Sequence, residues 1–254
     1  MTVTPQVLVI AGDGINCERE TALAFREAGA IPKVVHINDL VENPKMLAEA
    51  SALAIPGGFS FGDELGSGQV LALKIKYGLM DEFQKFVADK KPILGICNGF
   101  QVLVKLGLLP DMEEERTIAL TSNKSGNFIN CWAPLEVPSS SVCLWTKGLK
   151  NKTLELPVRH GEGRIVLAKG KESQIYKELL EKGQVALNYT EDINGSYQNI
   201  AGLCDPSGLV LGLMPHPEAF IFEATNRKMA KNYLEPALGL EIFKAIVEYT
   251  HTLN

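Results

Sequence analysis

The chain has 254 residues, 46% of them hydrophobic and 22% charged, with a formal net charge of −5; that is enough apolar sequence for a sizeable buried core. Lys and Arg are scattered rather than clustered, which argues against a nucleic-acid partner. No apolar run approaches the roughly 20 residues of a membrane helix, and the N-terminus reads as a first strand rather than a signal peptide. The five cysteines form no C-x-x-C pair, so neither a disulfide framework nor a metal site is expected, and a reducing cytoplasm is the simplest setting.

In chain order, 6–11 (QVLVIA) is apolar at consecutive positions, as a strand buried on both faces should be. Helical spacing follows over 17–28, ending at Gly29; 33–37 reads as a strand and 44–50 as a short helix. A strand over 52–55 runs into the loop PGGFSFGD, with helical sequence through Ala88. A strand over 92–96 and a helix over 98–106, stopped by Gly107, complete the first half.

This alternation predicts an α/β fold with an open, mostly parallel sheet flanked by helices. The second half supplies extra β-strands: 127–137, 142–146, 153–158, 163–168, 184–188, and a hairpin of 199–204 with 209–214 around DPSG. A short helix over 174–181 and a closing helix over 236–249 complete the expected elements. With no repeat and no linker, residues 1–254 read as one domain.

The strongest local signal is PILGICNGFQ. Glycines two before and two after Cys97 permit the tight strand-to-helix turn of a nucleophile elbow. Such a turn would project the thiol from the carboxyl edge of the sheet, where open α/β sheets bind ligands. The partial positive charge of a helix N-terminus favours thiolate there. Taken alone, the segment reads equally as a buried structural Cys in a glycine-bounded turn.

A thiol nucleophile needs an imidazole, and the imidazole needs an orienting group. Two of the four histidines qualify. His216 stands between prolines in MPHPE, with Glu218 two residues on; an extended backbone would point both side chains the same way. His160 and Glu162 in HGEG offer the same spacing, and spacing does not choose between the pairs.

Together these segments resemble class I glutamine amidotransferases, whose pattern is G-x-C-x-G-x-Q followed far downstream by H-P-E. Gly95-Ile96-Cys97-Asn98-Gly99-Phe100-Gln101 matches the first part and His216-Pro217-Glu218 the second. The motifs GINCE, PGGFSFGD, GICNGFQ, RHGEGR and MPHPE narrow the resemblance to members that serve purine biosynthesis, over about residues 6–220.

The resemblance implies a flavodoxin-like amidotransferase fold and a Cys97-His216-Glu218 triad that hydrolyses glutamine. It also implies an oxyanion site at the backbone N–H groups of Gly58 and Asn98, with Gly57 and Gly58 leaving room for close approach. Gln101 would contact the amino-acid end of glutamine, and His160 and Glu162 would be auxiliary.

No cofactor is expected in this chain. A G-x-x-x-x-G-K-[ST] phosphate loop is missing from the sequence, so ATP and magnesium are expected in a separate synthetase subunit that aminates formylglycinamide ribonucleotide, with a small third subunit. The stretches 62–68 and 219–232 are the expected docking surfaces. The sequence departs from many relatives at Gly66 and Ala219, where Arg is frequent, and 219–235 matches no family pattern. Two other readings use the same residues: a stand-alone cysteine hydrolase acting on peptides or γ-glutamyl chains, and a non-catalytic or redox-sensing thiol module.

Overall fold

A computed structural model describes residues 4–112, 115–227 and 237–252. Its strands and helices are, in order, β1 (Gln6–Ala11), α1 (Glu18–Glu27), β2 (Ile31–His36), α2 (Ile37–Glu42), α3 (Lys45–Glu49), β3 (Ala52–Ile55), α4 (Gln69–Gly78), α5 (Met80–Ala88), β4 (Ile93–Ile96) and α6 (Asn98–Leu106). The second half adds β5 (Ile118–Thr121), β6 (Ile129–Glu136), β7 (Leu154–His160), β8 (Arg164–Leu167), α7 (Glu172–Glu181), β9 (Val185–Tyr189), β10 (Ile200–Cys204), β11 (Val210–Leu213) and α8 (Gly239–Thr250).

Nine strands form one sheet in the order β2-β1-β3-β4-β11-β10-β9-β6-β7. From β2 through β11 every neighbour is parallel. From β11 outward every neighbour is antiparallel, so only β10 and β6 run against the rest. The expected open α/β sheet is therefore present, and the extra strands extend it on one side; β5 and β8 form a separate two-stranded ribbon.

The central strands β3, β4 and β11 are buried at every position, because helices cover both faces. Helix α8 closes the core against α1, with the Phe25 and Phe243 rings edge to face at 5.0 Å.

The consequential junction is the one between β4 and α6. Cys97 sits there with φ +50° and ψ −102°, a conformation that L residues rarely adopt. A Cβ on Gly99 would lie 1.9 Å from the carbonyl oxygen of Ile55, and one on Gly95 would lie 2.7 Å from the carbonyl oxygen of Gly99. Both glycines are thus required by close backbone approach of β3, β4 and α6, which over-determines the turn.

Several expectations are corrected. The segment 142–146 is not a strand: Val142 and Leu144 donate to the carbonyls of Gly183 and Gly208 on two separate loops, and the buried Trp145 Nε1 donates to Leu209 O at 2.7 Å. The helical stretch before Ala88 breaks at Leu79, whose φ of −145° separates α4 from α5. Strand β2 starts before 33 and takes in Pro32, which an edge strand tolerates because its missing N–H need not face a neighbour. Helix α2 and strand β5 were not expected; β5 is legible only through its pairing with β8. Pro236, the expected start of the closing helix, and residues 228–235 of the unmatched stretch lie outside the described residues. No described helix is long and apolar enough to cross a membrane.

Gly99→Ala is expected to destabilise the protein by about 3 kcal/mol or more, from overpacking against backbone. Gly148→Ala, where an added Cβ meets nothing within 4 Å, serves as the control in parallel urea unfolding. Equal midpoints for the two variants would contradict this account of the junction.

Candidate active site

The carboxyl ends of β1, β3, β4 and β11, neighbours in the sheet, deliver the loops that carry the candidate residues. Cys97 follows β4 directly and is 6% exposed. Its backbone N–H continues the ladder to Leu213 O at 2.8 Å, so the elbow is pinned to β11, the strand that leads to His216. Its Sγ lies 3.7 Å from the carbonyl oxygen of Arg159, a weak thiol contact with the end of β7.

His216 and Glu218 are 3% and 4% exposed. Nδ1 of His216 meets Glu218 Oε1 at 2.5 Å. The ring's Nε2 is buried and has no protein partner among the described residues. The backbone differs from the extended segment expected: residues 217–219 form a single 3-10 turn, with the Phe220 N–H on Pro217 O at 3.0 Å. The pair forms because the short turn still brings the carboxylate back over the ring.

The His216 N–H donates to Pro157 O at 2.8 Å, so β7, last in the sheet order, folds back over the carboxyl edge to brace the imidazole. Burial alone works against the imidazolium. The Glu218 carboxylate, with the Cys17 and Cys97 thiols near the ring, outweighs it and raises the His216 pKa well above the usual value. The imidazole is thus held ready to donate a proton at neutral pH.

Gly57 and Gly58 have a different physical reason from the one expected. A Cβ on Gly57 would lie 2.8 Å from His216 Cε1, and one on Gly58, at φ +147°, 2.8 Å from the backbone of 14–16. The space they leave is filled by the protein itself. The N–H groups of Gly58 and Asn98 donate to no internal partner among the described residues, so both remain available as donors.

Gln101 is buried and engaged internally: its Oε1 accepts from Asn98 Nδ2 at 3.0 Å, and its Nε2 donates to Glu162 O. Its carboxamide therefore braces the elbow helix against the 161–163 turn.

The two candidate dyads are now separable. His160 does not pair with Glu162; its Nδ1 meets Asn123 Oδ1 at 3.0 Å, and Asn123 Nδ2 donates to His160 O at 2.8 Å. Burial, aided by repulsion from His216, lowers its pKa to about 4, so it stays neutral. Glu162 contributes its carbonyl rather than a carboxylate to this arrangement.

Sequence reading missed Cys17. Its Sγ, with donor atoms of His216 and Glu218, forms the one group of three metal-ligating side chains found among the described residues, all within 4.8 Å of one another. His216 Nδ1 and Glu218 Oε1 are closer together than the roughly 3.3 Å that two ligands of one tetrahedral ion keep. A cation there would have to displace their hydrogen bond. Burial pushes the Cys17 thiol up, so it remains protonated beside the imidazole. Its place in GINCE, on a loop at the same sheet edge, was the available signal. A cavity of about 380 Å³ lined by Leu47, Phe86 and Lys91 lies near the amino ends of β3 and β4, away from this cluster.

Residues 4–250 match the CobB/CobQ-like glutamine amidotransferase domain family. Phosphoribosylformylglycinamidine synthase subunit PurQ of Methanococcus maripaludis is 41% identical, over 97% of this chain and 98% of the relative. The Treponema denticola protein of the same name is 39% identical, over 96% and 98%. The chain belongs to the PurQ family of glutamine amidotransferases. Among solved structures, a chain of PurLQS from Thermotoga maritima superposes with a TM-score of 0.77 at 32% identity, covering 97% of this chain and 99% of that one. A glutamine amidotransferase from the same organism shares the fold at a TM-score of 0.52 and 18% identity.

For a PurQ-family chain the neutral His160 has a thermodynamic consequence. Between the ordinary histidine value of 6.5 and about 4, the unfolded chain takes up a proton that the folded chain resists. This contribution therefore destabilises the fold progressively as pH falls through that window. Urea unfolding at neutral pH and near pH 4 is expected to show a smaller acid loss for His160→Gln than for the parent. Equal losses would contradict the assignment.

Proposed function

We propose that this chain is the glutaminase subunit of phosphoribosylformylglycinamidine synthase, hydrolysing glutamine to glutamate and ammonia through Cys97, His216 and Glu218. The observation that carries the residue assignment is the buried imidazole bound to Glu218 through Nδ1, with Nε2 free of any partner among the described residues and the elbow thiol of Cys97 near the ring.

In the first half-reaction the Cys97 thiolate attacks the side-chain amide carbon of glutamine. The resulting oxyanion is met by the N–H groups of Gly58 and Asn98; losing one such donor costs roughly 3–4 kcal/mol of barrier. The His216 imidazolium gives its proton to the departing nitrogen, releasing ammonia and leaving a γ-glutamyl thioester. In the second half-reaction neutral His216 takes a proton from water, which attacks the thioester, and glutamate leaves as the Cys97 thiolate and the His216 imidazolium are restored. Glu218 holds the ring orientation and the charged form throughout.

The names of the PurQ relatives and of the PurLQS structure support the rest of the reading. Ammonia passes to a PurL-type synthetase that holds ATP and magnesium and converts formylglycinamide ribonucleotide to formylglycinamidine ribonucleotide, with a small PurS-type subunit completing the assembly. This chain itself takes no cofactor. One sheet running through both halves of the chain supports reading residues 1–254 as one domain, acting in the cytoplasm.

Two tests follow. A glutamine-mimicking diazo ketone should label Cys97, and Cys97→Ala should lose the label; label on another cysteine, with glutamine turnover intact, would overturn the site. In the complex reconstituted with the synthetase, His216→Ala should lower glutamine-dependent turnover by about a thousandfold or more, whereas His160→Ala should keep measurable activity. The reverse ranking would mean that the base is His160.

A further inference from the structure

The loop between β3 and α4 has an unusual backbone. Phe61, Asp63 and Leu65 all take positive φ, at 54°, 54° and 63°, together with Gly62, Gly66 and Gly68. Three non-glycine residues in this region within five positions persist only where the surroundings over-determine them. Backbone bonds such as Phe61 N–H to Asp13 O hold the start of the loop, and one carboxylate gathers the rest. Asp63 Oδ1 accepts from Gly68 N–H at 3.2 Å and from Asn98 Nδ2 at 2.9 Å, and its Oδ2 accepts from Ser67 Oγ at 3.3 Å.

The Asn98 side chain, 1% exposed, is the other end of the same arrangement. Its Oδ1 accepts from Ser60 N–H at 3.2 Å, and its Nδ2 donates to Gln101 Oε1 as well as to Asp63. Gln101 passes the connection to Glu162 O. The residue next to Cys97, whose backbone N–H is a proposed oxyanion donor, is thus fixed through its side chain by residues 60–68, which supply no group to the reaction. The outer face of that loop carries Leu65, 82% exposed.

We propose that Asp63 is a positioning residue for glutamine hydrolysis, clamping the 61–68 loop to the Asn98 carboxamide and thereby holding the Asn98 N–H where the oxyanion forms. This rests on the glutaminase reading above. Burial tends to raise the Asp63 pKa, opposed by the hydrogen bonds from Gly68, Ser67 and Asn98; those donors are the ones that identify it as the centre of the clamp.

A double-mutant cycle on glutamine hydrolysis by the reconstituted complex tests this. Misplacement of a reacting geometry by about 1 Å costs up to about 100-fold in rate. Asp63→Asn and Asn98→Ala are therefore each expected to lower kcat by about 10- to 100-fold with the KM for glutamine nearly unchanged. Because the two side chains act as one unit, the double variant should be no slower than the slower single variant. If Asp63→Asn does not fold, Asp63→Glu, which keeps the charge on a longer arm, carries the same cycle. Losses that multiply in the double variant, or a fall in thermal stability with kcat intact, would overturn the proposal. A parent complex with no glutamine turnover would instead sink the glutaminase reading, so the two failures are distinguishable.

Discussion

A single backbone conformation, φ +50° at Cys97, organises the rest of the molecule. An L residue holds that geometry only if neighbouring segments leave it no alternative. The close approach of Gly95, Gly99 and the Ile55 carbonyl removes the alternatives, and the ladder bond from Cys97 N–H to Leu213 O fixes the turn to the strand that introduces His216. Strain at Cys97 is thus stabilised by packing in the most buried part of the sheet. The exposed loops are free to serve other purposes.

The antiparallel half of the sheet has a specific task in this arrangement. A parallel α/β sheet alone would leave the imidazole supported from one side. Strand β7 returns to place the Pro157 carbonyl on the His216 amide and the Arg159 carbonyl against the Cys97 thiol. His160, next in the chain, turns away into Asn123 and stays neutral, so it adds bulk without adding a competing charge to the site. Two His-x-Glu segments with identical spacing therefore differ in environment because of their partners. For His216 that partner is the carboxylate two residues on, and for His160 it is a carboxamide from a distant loop.

Much of this was legible in the sequence, for identifiable reasons. Consecutive apolar residues marked β1, β3 and β4, and glycines flanking a cysteine at a strand end marked the elbow, because both signals are local. The His216–Glu218 pair was legible as a spacing, although the backbone between the two residues is a tight turn rather than extended. What local pattern did not carry were contacts set by distant segments. Strand β5 exists only because β8 pairs with it, and 142–146 looked like a strand but spends its amides on the loops at Gly183 and Gly208. Likewise, Gly57 proved to make room for an imidazole more than a hundred residues later, and Cys17 was no candidate until the fold set it beside that same ring.

The central claim is that sulfur on the elbow becomes covalently bonded to the glutamyl group during turnover. The most direct measurement is mass spectrometry of the complex quenched in acid while it is consuming glutamine, with peptide mapping of any adduct. The account predicts one γ-glutamyl thioester, on the peptide containing Cys97, that disappears once glutamine is exhausted. Sustained turnover with no adduct at Cys97, or an adduct on Cys17 in its place, would contradict it.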